Sequence, residues 1–272
     1  RDFLKHLAKN NLLTEINEPV DTNLEITEIH RRVLAKSGPA LLFNNVQHKG
    51  KKTNIKVVAN LFGTIERVAL GMNTTPDKIA ELGKDLATLR QPEPPTGLKE
   101  AGKMLPLLKK LMQIKPKIVS KAPCQEIVLT GSDIDLDSLP IQTCWPNEPA
   151  PLITWPLIVT QGPNPKTDST DSYNLCIYRL QQISKNQTLM RWLKHRGGAQ
   201  QHQKSKEHGK QKFPAAAVIG ADPGTILAAV APVPETLSEY KFAGLLRGKA
   251  VELVKCKTIP LHVPAEAEIV LE

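Results

Sequence analysis

Aromatic residues are scarce: Trp, Tyr and Phe together make up 4% of the 272 residues. Platforms for single-stranded nucleic acid set aromatic rings among basic side chains, and the basic stretches of this sequence lack that interleaving. A nucleic-acid partner is therefore not expected. Long apolar runs are missing too. No window approaches eighteen consecutive apolar residues, which excludes a membrane-spanning helix. Only four cysteines occur, Cys124, Cys144, Cys176 and Cys256, and no two of them form a CxxC pair. That argues against a zinc ribbon or a redox dithiol. Residues 1–10 hold no apolar signal-peptide core. Four scattered thiols then read as the reduced cysteines of a cytoplasmic protein.

What is present is ordinary globular composition with uneven charge. Apolar residues make up 40% and charged residues 23%, so the chain can bury a core and suits about two domains. Lys and Arg number 36 against 27 Asp and Glu, a net charge of +9. Residues 84–121 carry net +6 and residues 185–212 carry net +7, so the remainder is about −4. The basicity is local, and local basic patches attract phosphates, acidic ligands or anionic membranes.

Up to residue 90 the pattern alternates. Phe3, Leu4, Leu7 and Ala8 form a helical stripe, residues 12–20 read as a strand, and residues 24–35 as a surface helix with Ile26, Ile29 and Val33 inward. Residues 40–43 and 54–59 read as strands around a basic turn at 48–52. Residues 64–70 and 76–89 read as helices, the second with Thr75 as N-cap and Pro76 at its first position. This predicts a small α/β domain. The Pro-rich segment 91–97 is a linker. Residues 98–114 resume helical periodicity, with Met104, Leu105, Leu107, Leu108, Leu111, Met112 and Ile114 set beside Lys103, Lys109, Lys110 and Lys115. Such a stretch packs as a helix or lies on an anionic membrane. From residue 125 short strands dominate, over 126–129, 152–161, 173–183, 215–220, 251–257 and 267–271, with helices over 188–201 and 238–247. Many strands with few helices predict a β-barrel or sandwich.

Three stretches could carry chemistry. Read as one strand, 173–181 puts Asn174, Cys176, Tyr178 and Leu180 on one face and Arg179 on the other with Tyr173, Leu175 and Ile177. An Arg among apolar neighbours needs an anionic partner unless it lies on an exposed edge. In Met190-Arg191-Trp192-Leu193-Lys194-His195-Arg196-Gly197-Gly198, Arg191 and His195 share a helical face. The glycines either end a solvated basic helix or let the backbone approach a phosphate. In residues 238–248, Ser238 is a good N-cap and Gly248 a good C′ residue. Glu239 then sits where the helix dipole favours a carboxylate, or it ligates a metal, since a Glu carboxylate with an Asn amide oxygen suits Mg²⁺ or Mn²⁺. Asp222-Pro223-Gly224-Thr225 reads as a capped helix start. His202 and His208 lie in the most hydrophilic stretch and read as solvated.

In their order and texture these stretches resemble the UbiD family of prenylated-flavin-dependent decarboxylases. Within it they are most similar to the 3-octaprenyl-4-hydroxybenzoate decarboxylase branch of ubiquinone synthesis. The resemblance runs through essentially the whole chain. It is most specific at N-L-C-I-Y-R-L-Q (174–181), M-R-W-L-K-H-R-G-G-A (190–199), G-A-D-P-G-T-I-L-A-A-V (220–230), P-E-T-L-S-E-Y-K-F-A-G-L-L-R-G (234–248) and V-P-A-E-A-E-I-V-L-E (263–272).

The resemblance implies an N-terminal α/β domain over 1–118, basic helical linker included, and a split β-barrel like that of flavin reductases over 119–272. It implies prenylated FMN held by Ile177, Tyr178, Arg179, Arg191, Trp192, Leu193, Arg196 and Gly197. Asn174 and Glu239 would hold a divalent metal, usually Mn²⁺, with His195 as a third ligand or phosphate contact and K⁺ as a further ion. Arg179 would be the catalytic arginine. The family's acidic partners lie in an E-G-P-(Y/F)-G-(D/E) motif just after the E-I-V-L-E strand. The barrel is therefore expected to be cut short and this piece inactive alone, and Glu266, Glu268 and Glu272 are not equivalents by motif. The implied reaction is non-oxidative decarboxylation of a polyprenyl-4-hydroxybenzoate to a polyprenylphenol, by a cytoplasmic homo-oligomer supplied by a flavin prenyltransferase and peripheral on the inner face of the cell membrane. Two rival readings are a flavin-binding split barrel without decarboxylase activity and a decarboxylase of another aromatic or unsaturated acid.

Overall fold

A computed structural model describes residues 1–90, 114–163, 172–233 and 237–272. The expected linker 91–97 and nearly all of the basic helical stretch 98–114 lie outside the described residues. In chain order the elements begin with α1 (Asp2–Lys9), β1 (Leu13–Ile16), β2 (Val20–Asp21), α2 (Glu25–Ala35), β3 (Ala40–Phe43), β4 (Val46–His48), β5 (Lys51–Lys52) and β6 (Val57–Ala59). Next come α3 (Ile65–Gly71), α4 (Pro76–Arg90), β7 (Lys117–Val119), β8 (Leu152–Ile153), β9 (Leu157–Gln161), β10 (Tyr173–Ile177), β11 (Leu180–Ser184) and β12 (Gln187–Met190). The last are α5 (Gly197–Glu207), β13 (Ala215–Ile219), α6 (Pro223–Ala228), α7 (Glu239–Arg247), β14 (Glu252–Lys255), β15 (His262–Pro264) and β16 (Ile269–Leu271).

The chain divides into two compact units, each assembled from three segments. The first comprises Arg1–Val68, Val128–Trp155 and Tyr178–Arg191. In it β1 pairs in parallel with β3, and β6 pairs antiparallel with β3. Parallel neighbours need a crossover, and α2 lies on that connection. Ile26, Ile29 and Val33 of α2 join Val20, Leu41, Phe43 and Val46 in one core, so the face read from helical spacing is the buried one. The basic turn is a hairpin: β4 pairs antiparallel with β5 across Lys49 and Gly50, whose φ values are 51° and 74°. Two positive φ angles give the twist that a two-residue hairpin requires. A third sheet has the order β12-β11-β8.

The second unit comprises Ala69–Ile127, Pro156–Ile177 and Trp192–Glu272. Its larger sheet has the order β10-β9-β13-β16, antiparallel throughout. The central strand β9 buries Leu157, Ile158 and Val159 almost completely, as a strand covered on both faces does. A smaller sheet has the order β15-β14-β7. Helix α7 buries Tyr240 and Phe242 and ends at Gly248 with φ 68°, so the predicted cap holds. Helix α6 starts as expected, with Asp222 accepting from the Thr225 backbone N–H. Arg247 on α7 bridges Asp222 and Glu266.

Several expectations are corrected. Residues 126–129 form no strand; Ile127, Val128 and Leu129 are exposed after a 3-10 turn at Pro123–Gln125. The strands predicted over 12–20 and 152–161 are each interrupted, the first at a stretch ending in Pro19 and the second before Pro156, because proline gives no N–H to a ladder and restricts the residue before it. The strand predicted over 173–183 is two strands: β10 pairs with β9, whereas β11 pairs with β8 and β12. Tyr178 and Arg179 lie in the break, so the alternation does not carry through to them. The helix predicted over 188–201 is strand β12, then an irregular stretch, then α5. Pairing of Gln187–Met190 with β11 overrides the helical spacing. Arg191 and His195 therefore share no helical face, and the two glycines open a helix instead of closing one. Among the described residues no sheet closes into a barrel, and the largest has four strands. No described helix is long and apolar enough to cross a membrane.

Candidate functional site

Strand β10 places Asn174 opposite Thr160 of β9. Asn174 is 9% exposed, and its Nδ2 donates to Thr160 Oγ1 at 3.4 Å. Thr160 Oγ1 donates to Gln201 Oε1 at 2.7 Å, and Gln201 Nε2 donates to the Ser172 carbonyl at 3.2 Å. Gln201 lies one to two turns into α5, so this chain of hydrogen bonds fastens the helix to the sheet. The fastening brings the helix start onto Asn174. A β-carbon on residue 197 would fall 2.1 Å from Asn174 Oδ1, so a larger residue there would have to displace the Asn174 amide. Arg196 is the N-cap residue, in extended conformation, and its own side chain makes no cap hydrogen bond. Thr160 and Gln201 carry no local sequence signal; the pairing of β9 with β10 sets Thr160 beside Asn174, and Gln201 reaches Thr160 from α5.

Glu239 comes to the same strand from α7. It is the first helical residue after Ser238. Its Oε2 accepts from the Leu175 backbone N–H at 3.4 Å, which sets the carboxylate against the backbone next to Asn174. Burial pushes the carboxyl up to about 7, while the backbone N–H groups of Glu239 and Leu175 pull the other way. Among the described residues no Lys, Arg or His lies within ion-pair distance of it. A desolvated carboxylate and an amide oxygen, both set at one strand, form the hard-oxygen donor set that a divalent cation takes. The donor types of these two residues suit such an ion; among the described residues no group of three His, Cys, Asp or Glu that could hold a metal occurs.

The remaining sequence candidates are spread over both units. Trp192 packs edge-on against His202 and Phe213, with centroids 5.4 Å and 6.0 Å away. His202 is thus part of an aromatic cluster, contrary to the solvated reading, whereas His208 is exposed. Leu193, His195 and Arg196 lie in the irregular stretch before α5 and are exposed. The His195 carbonyl accepts from Gln200 Nε2, but no hydrogen bond joins its imidazole to Asn174 or Glu239. Ile177 is half-buried at the end of β10. In the first unit Tyr178 is buried, Arg191 is exposed beyond β12, and Arg179 Nη2 lies 3.3 Å from Glu148 Oε1. Among the described residues Glu148 is an anionic partner of Arg179, which no local spacing reveals because 31 residues separate the two. Glu266 pairs with Arg247, and the Glu272 carboxylate accepts from the backbone N–H groups of Lys257 and Thr258.

Residues 4–86 match the model of the 3-octaprenyl-4-hydroxybenzoate carboxy-lyase N-terminal domain, and residues 117–272 match that of the 3-octaprenyl-4-hydroxybenzoate carboxy-lyase Rift-related domain. Among solved structures, the chain is similar to the UbiD-class enzyme HmfF from Pelotomaculum thermopropionicum in complex with FMN. Identity is 27%, the TM-score is 0.79, and the match covers 99% of this chain and 53% of that one. It is also similar to the vanillic acid decarboxylase of Sedimentibacter hydroxybenzoicus in closed form, at 25% identity, TM-score 0.80 and the same coverage. The apo 3,4-dihydroxybenzoic acid decarboxylase of Klebsiella pneumoniae shares the fold at 24% identity and TM-score 0.76, with 99% and 52% covered. The chain spans about half the length of the solved structures it matches. With both family models in chain order and one of them covering more than half of the residues, the chain belongs to the UbiD family.

Proposed function

We propose that the whole protein decarboxylates a polyprenyl-4-hydroxybenzoate to a polyprenylphenol in ubiquinone synthesis, with prenylated FMN and a divalent metal. The observation that carries this reading is the meeting of Asn174, Glu239 and the glycine start of α5 at one strand, in a chain of this family. In the same reading residues 1–118 are the N-terminal domain with its linker, and residues 119–272 contribute a split barrel that holds the cofactor. Mn²⁺ is the metal, with K⁺ as a further ion.

Asn174 and Glu239 hold the metal, with His195 as a third ligand or phosphate contact. The start of α5, Arg191 and Arg196 offer N–H groups and positive charge for the cofactor phosphate. Ile177, Tyr178, Trp192 and Leu193 line the flavin, and the aromatic cluster keeps Trp192 in one orientation. When bound, prenylated FMN supplies an electrophilic ring carbon that takes up the electrons left by departing CO₂. Arg179 orients the substrate carboxylate through its guanidinium fork. A general acid must then protonate the carbon that lost CO₂, and neither Glu266 nor Glu272, both engaged elsewhere, is given that role. A flavin prenyltransferase supplies the cofactor and the protein works as a homo-oligomer. The lipid tail of the substrate is the reason to test residues 98–114 for contact with the inner face of the membrane.

The test uses full-length protein from cells that also express a flavin prenyltransferase. CO₂ release from a polyprenyl-4-hydroxybenzoate, together with a bound modified flavin, is expected. Absence of both would overturn the reading. Turnover of a different aromatic acid alone would keep the decarboxylase and replace the substrate.

A further inference from the structure

We infer that Glu148 is the positioning residue for Arg179. The inference rests on the proposed decarboxylase function, in which Arg179 meets the substrate carboxylate. Glu148 divides its two oxygens between two tasks. Oε2 accepts from the backbone N–H groups of Cys144 and Trp145, at 2.8 Å and 3.4 Å. The Glu148 N–H in turn donates to the Trp145 carbonyl at 3.1 Å, closing the turn on itself. Oε1 is left to face Arg179 Nη2 at 3.3 Å. The burial of the two partners is unequal: the Glu148 side chain is 13% exposed and that of Arg179 55%. The carboxylate is thus fixed by its own turn, and the guanidinium, set in the break between β10 and β11, takes its direction from the carboxylate.

This arrangement has a chemical consequence. A guanidinium carries five N–H groups in a rigid fork. Engaging one Nη corner on a fixed protein carboxylate sets the plane of the fork and leaves its other edge for a second, planar anion. Glu148 also offsets the positive charge of Arg179, so recognition of a substrate carboxylate then depends on direction more than on net charge. Removing Glu148 therefore affects orientation and leaves attraction intact or stronger.

The experiment is a double-mutant cycle on the full-length, cofactor-loaded protein with an aromatic acid as substrate. Glu148→Gln keeps an acceptor for the turn but turns an amide N–H toward the guanidinium. It is expected to lower kcat by up to about a hundred-fold, the scale of a 1 Å misplacement, with KM unchanged or lower. In an Arg179→Gln background the same change should cost nothing further, and Glu148→Asp should recover part of the loss. An equal loss in both backgrounds would mean a general structural role and overturn the inference. If the wild type releases no CO₂, the decarboxylase reading fails, and a second measurement then decides on Glu148. Modification of Arg179 by phenylglyoxal, read by peptide mass spectrometry, should run about two- to five-fold faster in Glu148→Gln, the factor expected for release of a solvent-exposed ion pair. An unchanged rate would overturn the positioning role.

Discussion

The side-chain oxygen of Asn174 lies 2.1 Å from the position a β-carbon on residue 197 would take, with Asn174 Cγ at 2.9 Å. The Asn174 side chain of β10 thus packs directly on the start of α5. In an ordinary helix alanine is better than glycine by about 1 kcal/mol. Here the sign should reverse. Gly197→Ala is expected to lower stability in urea denaturation by about 1–3 kcal/mol, the range for overpacking a filled site. Asn174→Ala combined with Gly197→Ala should recover most of the loss. A stabilised Gly197→Ala variant would show that the contact constrains nothing.

Glu239 makes a separate prediction about the metal. A desolvated carboxylate without a cationic partner among the described residues is a cost that a bound cation removes. Mn²⁺ should therefore raise the Tm of the wild type, by the equivalent of about 2.7 kcal/mol at one hundred times its Kd. Glu239→Gln should match or exceed the metal-free wild type in Tm and gain nothing from Mn²⁺. An equal Mn²⁺ response in both proteins would place the ion elsewhere.

His48 sets a pH dependence in the first unit. It is 8% exposed and its Nδ1 shares a hydrogen bond with Thr22 Oγ1 at 2.8 Å. Burial lowers its pKa below the ordinary 6.5, Lys49 adds to that, and Asp137 and Asp21 oppose it. The folded state thus holds the imidazole neutral while the unfolded chain takes up a proton. The contribution is complete above pH 6.5 and is lost as pH falls from there through the folded value. The wild type should lose more denaturation free energy between pH 7.5 and pH 5 than His48→Gln does. Equal losses would remove His48 from the acid response.

Local chemistry makes much of the fold legible. The face of α2, the strand at residues 40–43, the Asp222 cap and the Gly248 end of α7 all arise from spacing, caps and turns within one element. Expectation and structure part where pairing partners are distant. Residues 187–190 have helical spacing with residues 191–201, yet β11 offers them a ladder, and hydrogen bonding of the paired backbone outweighs a weak propensity. Arg67 shows a similar limit. Its side chain is 1% exposed and donates to the carbonyls of Asn60 and Leu61, at 3.1 Å and 3.3 Å. No helical wheel predicts a buried guanidinium held by a loop.

The candidate site divides along the same line. Asn174, Glu239, Gly197 and Arg179 could be named from motif and residue type, because amide oxygen, carboxylate, bare backbone and guanidinium are the groups that metal, phosphate and carboxylate chemistry uses. Their neighbours could not. Thr160 and Gln201, which fasten α5 to the sheet, and Glu148, which faces Arg179, stand 14, 41 and 31 residues away from the side chains they hydrogen-bond, Asn174, Thr160 and Arg179. By itself the sequence determined which chemical groups are available and the local elements that carry them. Tertiary structure alone decided which groups meet, because strand register and the seating of a helix on a sheet are set by burial of surfaces far apart along the chain.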